Sequence, residues 1–151
     1  MERKEEAGTM RFTRELGRAL TCLFRGRRRF MDEKLREHEF TGNMYMILLH
    51  VDRHPGTSQD SIAAHMYLDK CSVARRAKRL EELGCIRRET DQLDRRQNKL
   101  YLTEKGRALA PVIREYLGQW GSQATAALSP EEKEELIRLL MKMMPQRGGK
   151  D

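Results

Sequence analysis

The chain has 151 residues and a mass of 17.7 kDa, enough for one domain with a sizeable core and helical extensions. Thirty Lys and Arg against 23 Asp and Glu give a formal charge of +7 and a pI near 9.6, and a 38% apolar content is too high for a disordered chain. No apolar run approaches the length of about 18 residues that a membrane span needs. The start, Met1-Glu2-Arg3-Lys4-Glu5-Glu6, lacks the hydrophobic stretch of a secretory signal, so a cytoplasmic protein is expected. Three cysteines without a C-x-x-C pair argue against a disulfide framework or a zinc finger. The positive balance suggests an anionic partner without choosing between nucleic acid and a membrane surface.

In chain order, residues 10–37 read as one long helix with apolar positions at Phe12, Leu16, Leu20, Leu23, Phe30 and Leu35. Thr41 has the character of an N-cap, with Phe40 before it and Tyr45 at the fourth helical position as a hydrophobic staple. That second helix carries Met46, Leu49 and His50 and stops at Pro55-Gly56. Thr57 or Ser58 caps a short helix with Ile62, Ala63 and Met66. Asp69 caps the next helix, and Gly84 ends it where a left-handed residue is favoured. Between Ile86 and Leu102 the helical period is lost. The polar stretch from Asp91 to Asn98 reads as the tip of a two-stranded hairpin. Thr103 caps a second long helix with Leu109, Ile113, Tyr116, Leu117 and Trp120 along one side. Ser129-Pro130-Glu131-Glu132 is a capping box opening a last helix with Leu136, Leu139, Leu140 and Met143.

The expected fold is mostly α with a small β-hairpin wing. It is a winged helix-turn-helix between N- and C-terminal helices whose apolar faces one small domain cannot cover, so pairing with a second copy is expected. The organisation follows: a dimerisation helix over 1–37, a winged lobe over 38–103, dimerisation helices over 104–145 and a tail over 146–151.

Charge placement selects the partner. On the helix after Asp69, Val73, Ala77 and Leu80 share one arc and should face the core. Cys71, Ser72, Arg75, Lys78 and Arg79 fall opposite, with Arg76 at the margin. Arginine can hold guanine O6 and N7 with two hydrogen bonds, and serine permits close approach. The plain alternative is a solvated basic face. The hairpin adds Arg87, Arg88, Arg95, Arg96 and Lys99, and a basic wing can insert arginine into a narrow minor groove. From Asp69 to Lys99 ten bases oppose six acids, so +4 of the excess sits in one fifth of the chain.

The stretch Leu68-Asp69-Lys70-Cys71-Ser72-Val73-Ala74-Arg75 runs on to Leu80-Glu81-Glu82-Leu83-Gly84. Asp94-Arg95-Arg96 and Leu100-Tyr101-Leu102-Thr103-Glu104-Lys105-Gly106 follow it. In these motifs the chain resembles the MarR family of bacterial transcriptional regulators over nearly its whole length. The resemblance implies a homodimeric winged helix-turn-helix regulator of double-stranded DNA with a pseudo-palindromic operator, commonly a repressor released by a small effector. Carried over by position, Lys70, Ser72 and Arg75 face the major groove, with Arg76 and Arg79 beside them. Ser58 and Gln59 touch phosphate, and Arg88, Arg95, Arg96 and Lys99 belong to the wing. Arg76, Ala77 and Lys78 depart from the family's usual apolar pair and acid, and Cys71 replaces a small polar residue.

Family members often take aromatic or phenolic acids between the dimer helices and the lobe. Here Arg27, Phe30 and Met31, with Tyr45 and Leu49, are the candidates for such a pocket; the alternative is a solvent-facing arginine run. Cys71, beside Lys70 and Arg75, is the candidate redox thiol. His50 and His54 stand one helical turn apart, but His38 and His65 add no spacing signal. The ligand count assigns no metal and no cofactor. No phosphate-binding glycine loop, G-x-S-x-G or H-E-x-x-H is present, so no enzyme is expected. A winged-helix protein-interaction module and a thiol-based redox regulator remain the competing functions.

Overall fold

A computed structural model describes residues 2–90 and 98–144, with side chains from residue 8 onward. Helix α1 spans Glu2–Lys34, a 3-10 turn Arg36–His38, α2 Met44–Arg53, β1 Thr57–Ser58 and α3 Gln59–Met66. Helix α4 spans Lys70–Glu82, β2 Ile86–Thr90, β3 Asn98–Leu102, α5 Glu104–Ala124 and α6 Pro130–Met143. The expected tail over 146–151 lies outside the described residues.

Most of the expected caps form. The Ser58, Asp69, Thr103 and Ser129 side chains accept from the N–H groups of Ser61, Ser72, Gly106 and Glu132, and Ser129 with Glu132 makes the full capping box. Gly84 takes φ +71, the left-handed conformation that lets the chain leave α4 and enter β2.

Three expectations need correction. The first helix begins earlier than residue 10 and ends at Lys34, because Leu35 leaves the helical region and the chain tightens into the 3-10 turn. Thr41 does not cap α2. Gly42 and Asn43 are both left-handed (φ +59 and +65), so the turn finishes at Asn43 and the Thr41 carbonyl instead accepts from Met44 N–H. The wing has three strands rather than two, in the order β1-β3-β2, with Thr57 opposite Leu100 and Ser58 opposite Lys99. A two-residue strand is too short to carry an alternating pattern.

The core joins all parts of the lobe. Ile47, Leu48 and Val51 of α2 meet Ile62 of α3, Val73, Ala77 and Leu80 of α4, and Leu100 and Leu102 of β3. Met31 and Leu35 of α1 and Ile113 of α5 close it from above. The outer helices are different. On α1 Phe12, Leu20, Leu23 and Phe24 are exposed, and α6 buries none of its residues, leaving Ile137 61% exposed.

The end of α4 is tied to the start of α5 by a compact polar knot. Thr103 Oγ1 donates to Gly84 O at 2.6 Å, and Lys105 Nζ donates to Leu83 O at 2.8 Å. Thr103 N–H donates to Cys85 O at 3.0 Å. Gly106 packs so closely on this knot that an added Cβ would stand 2.1 Å from the Cys85 carbonyl oxygen.

Candidate nucleic-acid interface

Helix α4 forms because Asp69 holds its first turn and an apolar stripe of Val73, Ala77 and Leu80 seats it on the core. Asp69 Oδ1 accepts from Ser72 N–H at 2.7 Å, and this bond, helped by Arg75 nearby, lowers the carboxyl pKa and keeps the cap ionised. The same seating turns the opposite side outward. Arg75, Lys78 and Cys71 are exposed, and Ser72, Arg76 and Arg79 are half-exposed.

This face borders an open groove of about 520 Å³ lined by Ser72, Arg75, Arg76, Lys78, Arg79 and Glu82 of α4 and by Thr41, Gly42 and Met44. The turn before α2 thus forms the far wall, a partner that linear reading did not bring to α4.

The structure sorts the cations. Lys70 pairs with Asp60 at 3.1 Å, Arg79 with Glu39 at 3.1 Å and Glu82 at 3.4 Å, and Arg88 Nε with Glu81 at 2.8 Å. Arg87 pairs with Glu89 and lies 4.8 Å from the Tyr101 ring centre. Arg75, Arg76 and Lys78 make no ion pair among the described residues. The pair Arg88–Glu81 clips the wing to α4, so Arg88 braces β2 in addition to whatever it contacts beyond the chain. Ser58 and Gln59 open α3 as expected. Arg95 and Arg96 lie outside the described residues, and Lys99 sits on β3 opposite Glu89.

The remaining candidates divide. Arg27 and Tyr45 come together. Arg27 Nε and Tyr45 Oη are both buried without a hydrogen-bond partner, and the guanidinium lies 5.8 and 5.9 Å from the Phe24 and Trp120 ring centres. Burial raises the Tyr45 pKa, Arg27 opposes the shift and Asp32 adds to it, so the phenol keeps its proton at neutral pH. Phe30 and Leu49 are half-buried beside this pair, whereas Met31 is fully buried core and lines nothing. Trp120 was missed because it stands 93 positions from Arg27. Cys71 is exposed, as is Cys22; only Cys85 is buried, and burial raises its thiol pKa against the pull of Lys105.

The tri-helical core, the three-stranded wing and the projecting terminal helices define a winged helix-turn-helix protein. The family model described as MarR family matches residues 38–97. The uncharacterized HTH-type transcriptional regulator YybA of Bacillus subtilis (strain 168) is 29% identical over 107 residues, 71% of each chain. The crystal structure of the transcriptional regulator SlyA is 30% identical with a TM-score of 0.82, covering 85% of this chain and 90% of that one. A mutant MarR from E. coli, complexed with operator DNA, has a TM-score of 0.78 at 23% identity, covering 87% and 94%; that likeness is one of fold. The chain belongs to the MarR family and is a MarR-family transcriptional regulator. No helix among the described residues is long and apolar enough to cross a membrane.

Proposed function

We propose that the chain is a homodimeric, sequence-specific regulator of double-stranded DNA, acting as a repressor released by a small anionic aromatic effector. The observation that carries the DNA reading is the outward face of α4, where Arg75, Arg76 and Lys78 stand unpaired among the described residues beside Ser72. The operator DNA bound by a protein of the same fold supports it. A dimer sets two such helices on half-sites about 10 bp apart. The test is fluorescence anisotropy with duplexes selected from a random pool, measured over a range of salt. Affinity should fall linearly in log–log form, with a slope of about −0.9 for each phosphate engaged. No duplex binding even at low salt would favour a protein-interaction module instead.

The dimer reading rests on α6, which buries nothing within its own chain, and on the exposed apolar residues of α1. Together they form a surface that a monomer would leave wet. Sedimentation equilibrium should give twice the chain mass, and Ile137→Glu should give the monomer with the lobe still folded. A wild-type chain sedimenting as a monomer at tens of micromolar would sink the reading.

The effector reading rests on two buried donors without partners, Arg27 Nε and Tyr45 Oη. Unsatisfied buried groups are costly, and a carboxylate accepting from both would relieve them. The aromatic walls Phe24, Phe30 and Trp120 suit the ring of a benzoate-like acid. Calorimetry with benzoate and salicylate should show binding that Tyr45→Phe weakens about 5- to 10-fold, consistent with one hydrogen bond to a charged group. Absence of heat, with no release of DNA, would remove the effector from the proposal.

A further inference from the structure

Three imidazoles share one corner of the lobe. His50 and His54 lie one turn apart at the end of α2, and α3 carries His65 across to them. The ring centres are 4.7 Å apart for His50–His54, 4.6 Å for His50–His65 and 5.9 Å for His54–His65. His50 is buried, His65 half-buried and His54 exposed. With Pro55, Gly56, Thr57 and Ser61 they line an open cavity of about 260 Å³.

The geometry points to a binding site for a divalent cation that prefers imidazole, of the Zn²⁺ class, held by His50, His54 and His65. A metal bound to an imidazole nitrogen at roughly 2.0–2.1 Å lies about 3.2 Å from that ring's centre, so a tetrahedral three-histidine set keeps its ring centres about 5 Å apart. The three observed separations lie on both sides of that value, and the point equidistant from the three centres is about 3 Å from each. As the side chains stand, no group of three His, Cys, Asp or Glu among the described residues is arranged to hold an ion. What differs is the aim of the nitrogens, not the spacing of the rings. The torsion between Cβ and the imidazole is broad, so turning a nitrogen inward asks little of the backbone. The competing account is an aromatic cluster that only fills the corner, which predicts no effect of metal.

Three histidines leave a fourth position facing the open cavity for water. An all-imidazole set favours Zn²⁺, Ni²⁺ or Cu²⁺ over Mg²⁺ and Ca²⁺. The ligands come from α2 and α3, and the loop between them docks on the wing. Gly56 N–H donates to Leu100 O at 2.9 Å, and Thr57 pairs with Leu100. A bound ion would pin the helix preceding α4 to α2 and to the root of the wing, and so would stabilise the folded lobe. Protons compete for the same nitrogens, so binding weakens as pH falls through the ordinary histidine range near about 6.5.

The full chain, stripped with chelator, is titrated with Zn²⁺ by calorimetry and with Co²⁺ by visible absorption, with Mg²⁺ as the control. The expected result is one ion per chain, a higher Tm with Zn²⁺ and none of this with Mg²⁺. His54 is exposed, so His54→Gln should keep the fold and lower Zn²⁺ affinity at least about 10-fold; Cys22→Ser with Cys71→Ser, which removes the two exposed thiols, should leave affinity unchanged. Absence of Zn²⁺ binding overturns the site, as does wild-type affinity in His54→Gln or loss of binding in the cysteine variant. None of these readouts requires DNA or an effector, so the site stands or falls apart from the regulator reading.

Discussion

Gly106→Ala is expected to lower stability by about 2–3 kcal/mol and Tm by roughly 5–10 °C in thermal unfolding. In an ordinary helix position the change would help, because alanine is the better helix former by about 1 kcal/mol. Here the new methyl group would stand 2.1 Å from the Cys85 carbonyl oxygen, far inside contact distance. That oxygen cannot step aside cheaply. It accepts from Thr103 N–H at 3.0 Å, and Cys85 N–H is in turn bound to Leu80 O at 2.9 Å. The clash must therefore move the start of α5 away from the root of the wing. Gly26→Ala is the contrast, since an added Cβ there meets nothing within 4 Å and should raise stability by about 0.5–1 kcal/mol. Equal loss in both variants would mean that backbone freedom, and not the carbonyl contact, makes Gly106 necessary.

The second large effect concerns α4. Arg75→Ala is expected to weaken binding to the selected duplex by about 1–3 kcal/mol while changing binding to a scrambled duplex little. Its side chain is exposed one turn after the Asp69 cap and makes no ion pair among the described residues, so its guanidinium can meet a base edge without first breaking a contact. Lys78→Ala should weaken both duplexes alike and flatten the salt slope by about 1, as expected for a phosphate contact. Arg79 is bridged to Glu39 and Glu82, so part of its contribution replaces existing ion pairs and its truncation should cost less than that of Arg75. Equal loss on both duplexes for Arg75→Ala would undo its assignment as the base-reading residue.

Much of the lobe was legible because it depends on local rules. Asp69, Ser58, Thr103 and Ser129 cap helices through bonds spanning three residues, and Val73, Ala77 and Leu80 mark a core face by helical period alone. The third strand was not legible, because Thr57 and Ser58 become a strand only by pairing with Leu100 and Lys99, some forty residues away. The α2 start was misplaced for a related reason. Thr41 is a good capping residue, but the two left-handed residues after it set where the helix begins.

By itself the sequence determined the order of the elements, the outward basic face of α4 and the family, since all three follow from spacing along one chain. Only the tertiary structure decided which cations are already paired, why Gly106 cannot carry a side chain, and that Arg27 meets Tyr45 and Trp120. It also decided that His65 joins His50 and His54. Each of these depends on distances between residues far apart in the chain. Helical period and capping do not encode such distances; the packing of α1, α2, α3 and α5 around the shared core does.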